Sequence, residues 1–193
     1  MENKDIETER HPWAPFVPEG AKVLFMGTFP PGKHRWSMDF YYPNPTNDFW
    51  RIMGLLYFSD KDALWLGAVK RFDLERIKAL LTERGIALSD TARAVRRLRG
   101  NASDKFLEIV ESTDVQALLE RMPECRHVAC TGEKAAAVAA DQLGVAMPKM
   151  GESIAGTGGV TLWRMPSSSR AYPMALQRKA EFYATLLRTA GCL

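Results

Sequence analysis

The chain of 193 residues lacks the sequence features that several common protein classes require. Its three cysteines form no CxxC pair and have no histidine at metal-ligand spacing, which argues against a zinc or iron–sulfur site. No segment approaches the roughly 20 apolar residues that a membrane-spanning helix needs, and the N-terminal segment has no apolar signal region. We therefore expect a soluble cytoplasmic protein that needs no cofactor, binds no metal and contacts no membrane.

Sequence motifs of several enzyme classes are also missing. The chain has no GK[ST] at the spacing of a phosphate-binding P-loop, no GxGxxG for a dinucleotide and no GxSxG around a serine nucleophile. His11, His34 and His127 have no catalytic partner at a meaningful spacing, so they predict no catalytic set. An α/β hydrolase with a nucleophilic side chain is therefore the least favoured of the functions we consider.

Length and composition indicate one globular domain. The chain is 46% hydrophobic and 25% charged, and its net charge of +3 permits a polyanionic partner without requiring one. Residues 1–20 are polar and then rich in proline, which predicts an extended N-terminal arm. We predict that residues 21–193 form a single domain and that the protein is a monomer.

Apolar runs that stop at glycine or polar residues alternate with helical patterns. This alternation is typical of an α/β protein with a parallel sheet covered on both faces. The sequence therefore predicts a three-layer α/β/α architecture with a central four-stranded parallel sheet. The predicted strands cover residues 22–26, 86–90, 127–131 and 160–163. The first predicted helix begins near residue 46 or 47 and fades near residue 57. The other predicted helices cover residues 59–70, 74–84, 113–122, 133–143 and 173–189, while residues 148–159 are predicted as a loop.

The stretch from Val23 to Trp50 predicts a strand, a long loop and the start of a helix. Ligands of open α/β sheets bind beyond the carboxyl ends of the strands, so this loop is the first place to expect a site. Three adjacent aromatic residues and two asparagines lie in it, between Phe40 and Asn47. Aromatic rings can stack on a nucleobase, and an asparagine amide matches a base edge or orients a water. The same residues also suit core anchors and turn formers, and the loop by itself does not decide between these interpretations.

Three further segments each allow a structural and a functional interpretation. Gly27–Gly32 is either a plain turn or a phosphate cradle, although its prolines remove backbone donors. Residues 91–104 carry four arginines and predict a solvated helix face and loop, or an edge that contacts phosphates. Met165–Arg170 follows a strand and offers hydroxyls and backbone N–H groups, which suits either a turn that caps the last helix or a DNA contact.

Taken together, these segments resemble the uracil-DNA glycosylase superfamily. The resemblance is strongest to the hypoxanthine-DNA (deoxyinosine) glycosylase branch, with the mismatch-specific uracil-DNA glycosylases next. Five stretches carry it, in the order in which the family has them and over nearly the whole chain. They are Gly27–Pro31, Phe40–Trp50, Gly85–Asp90, Cys130–Ala135 and Met165–Ser169.

The resemblance implies an enzyme that flips a deaminated base, hypoxanthine or uracil, out of damaged DNA and hydrolyses its N-glycosidic bond. It gives Asn47 the catalytic role and places Tyr42 on the face of the base. Further members of the implied base pocket are Gly27, Thr28, Phe29, Pro30, Asn44 and Thr131. The implied DNA-binding residues are Pro166, Ser167, Ser168, Ser169 and Arg170.

Four positions depart from the family pattern. Phe29 stands where uracil-specific branches have an acidic or amide residue, and Thr131 replaces an asparagine that reads the base. Asn44 and Met165 each replace a histidine. Phe29 and Thr131 favour an alternative in which a catalytically degenerate relative binds DNA, a nucleobase or a nucleotide without excision, whereas Asn47 and the aromatic loop favour the enzyme.

Overall fold

The computed structural model describes residues 6–98 and 106–193, and its centre is a five-stranded sheet. The strands in chain order are β1 (Thr8–Arg10), β2 (Val23–Gly27), β3 (Trp65–Leu66), β4 (Arg71–Phe72), β5 (Ile86–Asp90), β6 (Ala92–Arg97), β7 (Leu107–Ser112), β8 (His127–Cys130), β9 (Ser153–Ala155) and β10 (Thr161–Arg164). The helices are α1 (Phe49–Phe58), α2 (Leu74–Arg84), α3 (Val115–Glu120), α4 (Glu133–Leu143) and α5 (Leu176–Thr189).

The central sheet has the strand order β5-β2-β8-β10-β9. Its first four strands are parallel and coincide with the four strands that the sequence predicts. The prediction of a four-stranded sheet is nevertheless wrong, because β9 adds a fifth strand antiparallel to β10. This strand has three residues in a glycine-rich segment, so it has no apolar run and depends on its hydrogen bonds with β10.

The central sheet is buried on both faces, as its apolar strands predict. In β2, Val23 and Phe25 pack against one face while Leu24 and Met26 pack against the other, because successive strand residues point in opposite directions. Residues of α1, α2 and α5 cover the first face, and residues of α3 and α4 cover the second. The chain therefore has the expected three layers.

The helix ends follow local chemistry. Asp73 accepts a hydrogen bond from the Arg76 amide at the start of α2, and Gly85 ends that helix with φ of 66°. Helix α4 has the predicted bounds. Helix α1 begins at Phe49 rather than at residue 46 or 47, although the Asn47 side chain still accepts a hydrogen bond from the Phe49 amide.

Two local predictions are wrong. Residues 59–70 form turns, the short strand β3 and a 3-10 turn instead of a helix, because β3 pairs with β4. Residues 92–97 form strand β6 rather than a helix face, and β6 lies between β1 and β7 in a second, antiparallel sheet. Ala92 and Ala94 are buried and Arg93 between them is half-buried, which is the alternation of a strand. Residues 99–104 of the basic segment lie outside the described residues.

The strand order places a crevice between the carboxyl ends of β2 and β8. The chain passes from β2 to β5 on one side and later continues from β8 to β10 on the other. Such a reversal leaves the loops after the two central strands diverging, and it is where open α/β sheets bind ligands. Gly27 ends β2 and Thr131 follows β8, so the fold brings these two residues to the same crevice.

Two glycines at helix ends allow a test of the fold. Gly85 and Gly144 both lie in the left-handed region, with φ of 66° and 64°. A Cβ on Gly85 would lie 2.8 Å from the Gly20 carbonyl oxygen, whereas one on Gly144 would meet nothing within 4 Å. We expect Gly144→Ala to lower the free energy of unfolding by about 1 kcal/mol, the cost of a left-handed alanine. Gly85→Ala should cost clearly more, since the backbone must also move. Urea unfolding measures both, and equal losses would contradict the described packing.

Candidate active site

The crevice at the carboxyl ends of β2 and β8 is a cleft of about 850 Å³. Its walls come from the loop after β2, the end of β5, the residue after β8 and the loop after β10. The lining residues are Gly27, Thr28, Phe29, Pro30, Pro31, Arg35, Tyr42, Pro43, Asn44, Thr46, Asn47, Asp90, Thr131, Ser167, Ser168, Ser169, Arg170 and Ala171.

Tyr42 forms an aromatic wall of the cleft. Its ring stacks on Phe49, with centroids 3.9 Å apart and planes within 8°. Its backbone has φ of 52°, a left-handed conformation that costs about 1–3 kcal/mol in a non-glycine residue. Two other non-glycine residues with positive φ, Ser59 and Lys70, end helical turns, whereas Tyr42 lies within the cleft loop. The strained backbone therefore coincides with the ring that faces the cleft.

The Tyr42 hydroxyl is a donor rather than a base. Burial, followed by the negative charge of Asp90, raises the pKa of Tyr42 well above its ordinary value. The hydroxyl lies 3.1 Å from Thr131 Oγ1, which in turn lies 3.5 Å from the Met26 carbonyl oxygen. Because that carbonyl can only accept, the chain of bonds runs from Tyr42 through Thr131 to Met26. A ligand that replaces one of these bonds meets a protonated phenol.

The two asparagines of the loop have their carbonyl oxygens engaged. Asn44 Oδ1 accepts from the Thr46 amide and hydroxyl at 3.0 and 2.9 Å. Asn47 Oδ1 accepts from the Phe49 amide at 2.9 Å and so satisfies an N–H group at the start of α1. An amide oxygen has two lone pairs, so Asn47 retains one acceptor position, and each side chain keeps an NH₂ donor.

The loop after β10 lies against the loop that precedes α1. Asn47 forms an isolated β-bridge with Ser169, and the Asp48 amide donates to the Ser168 carbonyl at 2.7 Å. Ser167, Ser169 and Arg170 line the cleft, as does Ser168, which is only 2% exposed. Pro166 is buried outside the lining, where its carbonyl accepts from the Tyr183 hydroxyl at 3.2 Å.

A buried ion pair supports both loops from below. Lys179 of α5 is fully buried and donates to Asp48 Oδ2 at 3.0 Å and to the Ser169 carbonyl at 2.7 Å. Asp48 Oδ1 accepts from Arg170 Nε at 3.1 Å. One ammonium group thus holds the start of α1 and the loop after β10 at a fixed separation.

The inner wall of the cleft is packed by the second sheet. Phe29 lies against the cluster of Ala92, Val95 and Leu107. Arg97 donates to the Pro30 carbonyl at 2.6 Å and lies over the Phe29 ring, 5.6 Å from its centroid. The basic segment therefore serves in part to hold the loop after β2. Gly27, Thr28 and Pro30 line the cleft together with Phe29.

Asp90 is a cleft residue that the sequence interpretation did not identify as part of the site. It ends β5 beside Gly27, its register partner in β2, and is 6% exposed. Its Oδ2 lies 2.8 Å from Nε2 of His11, a residue of the N-terminal segment. The pairing spans 79 residues, so no local spacing reveals it. The sequence offers His11 no partner at a local spacing, and the structure supplies one from a distant part of the chain.

The charges of the cleft are separated. Arg35 and Arg170 are exposed where the cleft meets solvent, and the Asp90 carboxylate lies within. This arrangement suits a ligand with an anionic outer part and a hydrogen-bonding inner part. Within the described ranges, no group of three or more metal-ligating side chains occurs and no helix is long and apolar enough to cross a membrane.

The fold is shared with a solved structure. No protein-family profile matches the chain, and no curated protein does. The solution NMR structure of a protein from Methanosarcina acetivorans, provisionally named a uracil DNA glycosylase, superposes with a TM-score of 0.68 at 23% sequence identity. The alignment covers 96% of this chain and 99% of that chain. The two proteins share a fold.

Two neighbouring cations of α5 provide a test of the buried pair. We expect Lys179→Met to lower the free energy of unfolding by about 3 kcal/mol, because it leaves the Asp48 carboxylate buried without its main partner. Arg178→Met removes an exposed pair with Glu181 and should cost less than about 1 kcal/mol. Chemical unfolding of both variants measures the difference. Adding Asp48→Asn should restore part of the loss in Lys179→Met, and an additive further loss would contradict the pairing.

Proposed function

We propose that the protein is a DNA glycosylase of base-excision repair that acts on a deaminated base, hypoxanthine or uracil. The observation that carries the proposal is one cleft in which a stacking ring, Tyr42, and an asparagine, Asn47, lie beneath a cationic mouth. The shared fold supports it. A flipped nucleotide needs a site of this kind, which places the phosphates at a cationic mouth and the base inside the cleft.

The base would stack against Tyr42. The ring is already ordered by Phe49 on one face, so a base meets a rigid surface and little side-chain entropy is lost. Stacking of a base on an aromatic ring contributes about 1–3 kcal/mol. It does not depend on base identity, so it supports binding rather than choice of base.

Asn47 would orient the attacking water. Its carbonyl oxygen is fixed by the Phe49 amide and keeps one lone pair, which can accept from a water directed at C1′. An amide is too weak a base to remove a proton, so Asn47 would contribute by positioning the water. Hydrolysis through an oxocarbenium-like transition state suits such a site, because bond cleavage generates most of the electrophile before the water bonds.

The departing base gains negative charge and needs donors. Asn44, which has a free NH₂ donor, and Tyr42, which has a protonated hydroxyl, both line the cleft. Fixed donors that meet charge as it develops stabilise the transition state more than the ground state. Arg35 and Arg170 at the mouth would contact the DNA phosphates.

The second candidate is a protein that binds a base or nucleotide without excision. One observation favours it: Thr131, at the position where the resembled family has a base-reading asparagine, offers one hydroxyl that is already bonded to Tyr42. The first experiment incubates the protein with oligonucleotides carrying uracil, hypoxanthine or xanthine and then cleaves abasic sites with alkali. Strand breaks support the enzyme. Binding with no break from any lesion at enzyme excess would favour the second candidate.

Substitutions of Asn47 should separate catalysis from helix capping. Asn47→Ala should reduce excision by about 100-fold or more, the loss expected for a transition-state contact, and lower stability by about 1 kcal/mol through the lost cap. Asn47→Ser keeps a capping oxygen, so it should retain most of the stability and still lose excision. Single-turnover excision and thermal unfolding measure the two effects. Full activity in Asn47→Ser would contradict the proposed role.

Substitutions of Tyr42 should separate stacking from hydrogen bonding. Tyr42→Phe keeps the ring on Phe49 and removes the hydroxyl with its hydrogen bonds, so affinity for a lesion strand should fall by less than about tenfold. Tyr42→Ala removes the ring and should weaken binding by about tenfold or more. Fluorescence anisotropy with a labelled lesion strand gives both values. Equal effects of the two substitutions would show that the ring face does not contact the base.

A further inference from the structure

The Asp90 carboxylate has one oxygen bound and one oxygen facing the cleft. Oδ2 is bound by His11, whereas Oδ1 accepts no hydrogen bond from any residue in the ranges 6–98 and 106–193. Oδ1 is also absent from the sealed, unpartnered polar atoms of those ranges, so it retains solvent access although the residue is 6% exposed. A carboxylate oxygen in this position can accept a hydrogen bond from a ligand that enters the cleft.

The free oxygen lies close to the other polar groups of the inner cleft. It is 2.6 Å from the point where a Cβ on Gly27 would lie, and the Tyr42 hydroxyl is 3.6 Å from that point. Glycine at position 27 therefore leaves room for the carboxylate to extend over the end of β2. Any group that enters between Tyr42 and Asp90 contacts an acceptor on one side and a phenol on the other.

His11 fixes the carboxylate in this orientation. Its side chain is fully buried, and its ring is packed by Trp13, Phe29 and Tyr41 at centroid distances between 5.4 and 5.6 Å. The His11 amide donates to the Arg93 carbonyl at 2.8 Å, so the ring is attached to strand β6 through its own backbone. The imidazole cannot turn away without disturbing these contacts.

The second ring nitrogen of His11 permits donation to Asp90 in either protonation state. Nδ1 lies 3.2 Å from the Trp13 amide nitrogen and 2.9 Å from the Trp13 carbonyl oxygen. A neutral ring can accept from the amide, and a charged ring can donate to the carbonyl, while Nε2–H donates to Asp90 in both forms. The carboxylate keeps its orientation whichever form is present.

We propose that His11 is a positioning residue of the cleft, which holds Asp90 so that Oδ1 accepts a hydrogen bond from an N–H group of the bound base. The inference rests on the proposed function and narrows its substrate class. A flipped base presents its Watson–Crick edge to the pocket interior. The ligand class is therefore a base with an N–H at that edge, such as the lactam N1–H of hypoxanthine or the N3–H of uracil. An N-methylated counterpart lacks the donor and places a methyl group against the carboxylate.

The test compares matched oligonucleotides in a binding assay. Each carries one 2′-fluoro nucleoside, which resists hydrolysis because fluorine destabilises an oxocarbenium ion. The base is hypoxanthine or N1-methylhypoxanthine in one pair, and uracil or N3-methyluracil in the other. The wild type should prefer the N–H member by about tenfold or more, the effect of one hydrogen bond to a charged group.

Variants of the pair identify the role of His11. His11→Leu should remove most of the preference while leaving affinity for the methylated strand within about twofold. His11→Gln places an N–H near the position of Nε2 and should restore much of the preference. Asp90→Asn should lose it, and the double variant His11→Leu/Asp90→Asn should lose no more than either single one, because both act through one bond. His127→Leu is the matched control. His127 begins β8, at the end of the strand away from the cleft, and accepts a hydrogen bond from Trp163 Nε1.

The outcomes separate this inference from the proposed function. If the wild type excises a lesion but His11→Leu keeps the full preference for N–H strands, the inference about His11 is wrong and the proposed glycosylase function is supported. Equal weakening of both strands in His11→Leu, without rescue by Gln, would also overturn it, because that result indicates a structural role alone. If no lesion is excised but the preference for N–H strands exists and depends on His11, the inference about His11 holds and the proposed glycosylase function is wrong.

Discussion

The cleft depends on one buried ammonium group. Lys179 bonds both the Asp48 carboxylate, which precedes α1 and lies 131 residues away in the chain, and the Ser169 carbonyl in the loop after β10. Burial of a lysine is costly unless its charge is paired and its donors are satisfied. The two loops therefore hold the positions that satisfy Lys179. Asn47 and Ser169 are neighbours as a direct result.

Two further contacts fix the cleft from its other sides. The stack of Tyr42 on Phe49 ties the aromatic wall to the first turn of α1, and the His11–Asp90 bond ties the N-terminal segment to the end of β5. Each contact joins a loop to a regular element of the central sheet or its covering helices. Rigid elements thus position side chains that lie on loops, which is the usual division between scaffold and site.

Much of the fold can be predicted from the sequence, because strands of a sheet that is buried on both faces contain continuous apolar runs. The runs around Val23, Ile86 and Val128 each predict a parallel strand, and capping residues such as Asp73 and Gly85 predict helix ends. Strand β9 and the pair β3–β4 were missed, because strands of two or three residues have no period to detect and form only through pairing. The alternation of small and basic residues in β6 was interpreted as a helix face, since its partner strands are not visible locally.

The sequence by itself determined the layers of the fold, the loop after β2 and the residues of the aromatic wall, because strand period and turn chemistry are local properties. It also indicated Asn47 and Tyr42 through a family resemblance. Only the tertiary structure decided that His11 faces Asp90, that Lys179 is buried under the cleft and that Pro166 is buried outside the cleft lining, with its carbonyl bonded to Tyr183. These are contacts between residues 17 to 131 positions apart, and long-range pairings of single side chains leave no periodic signal in a chain.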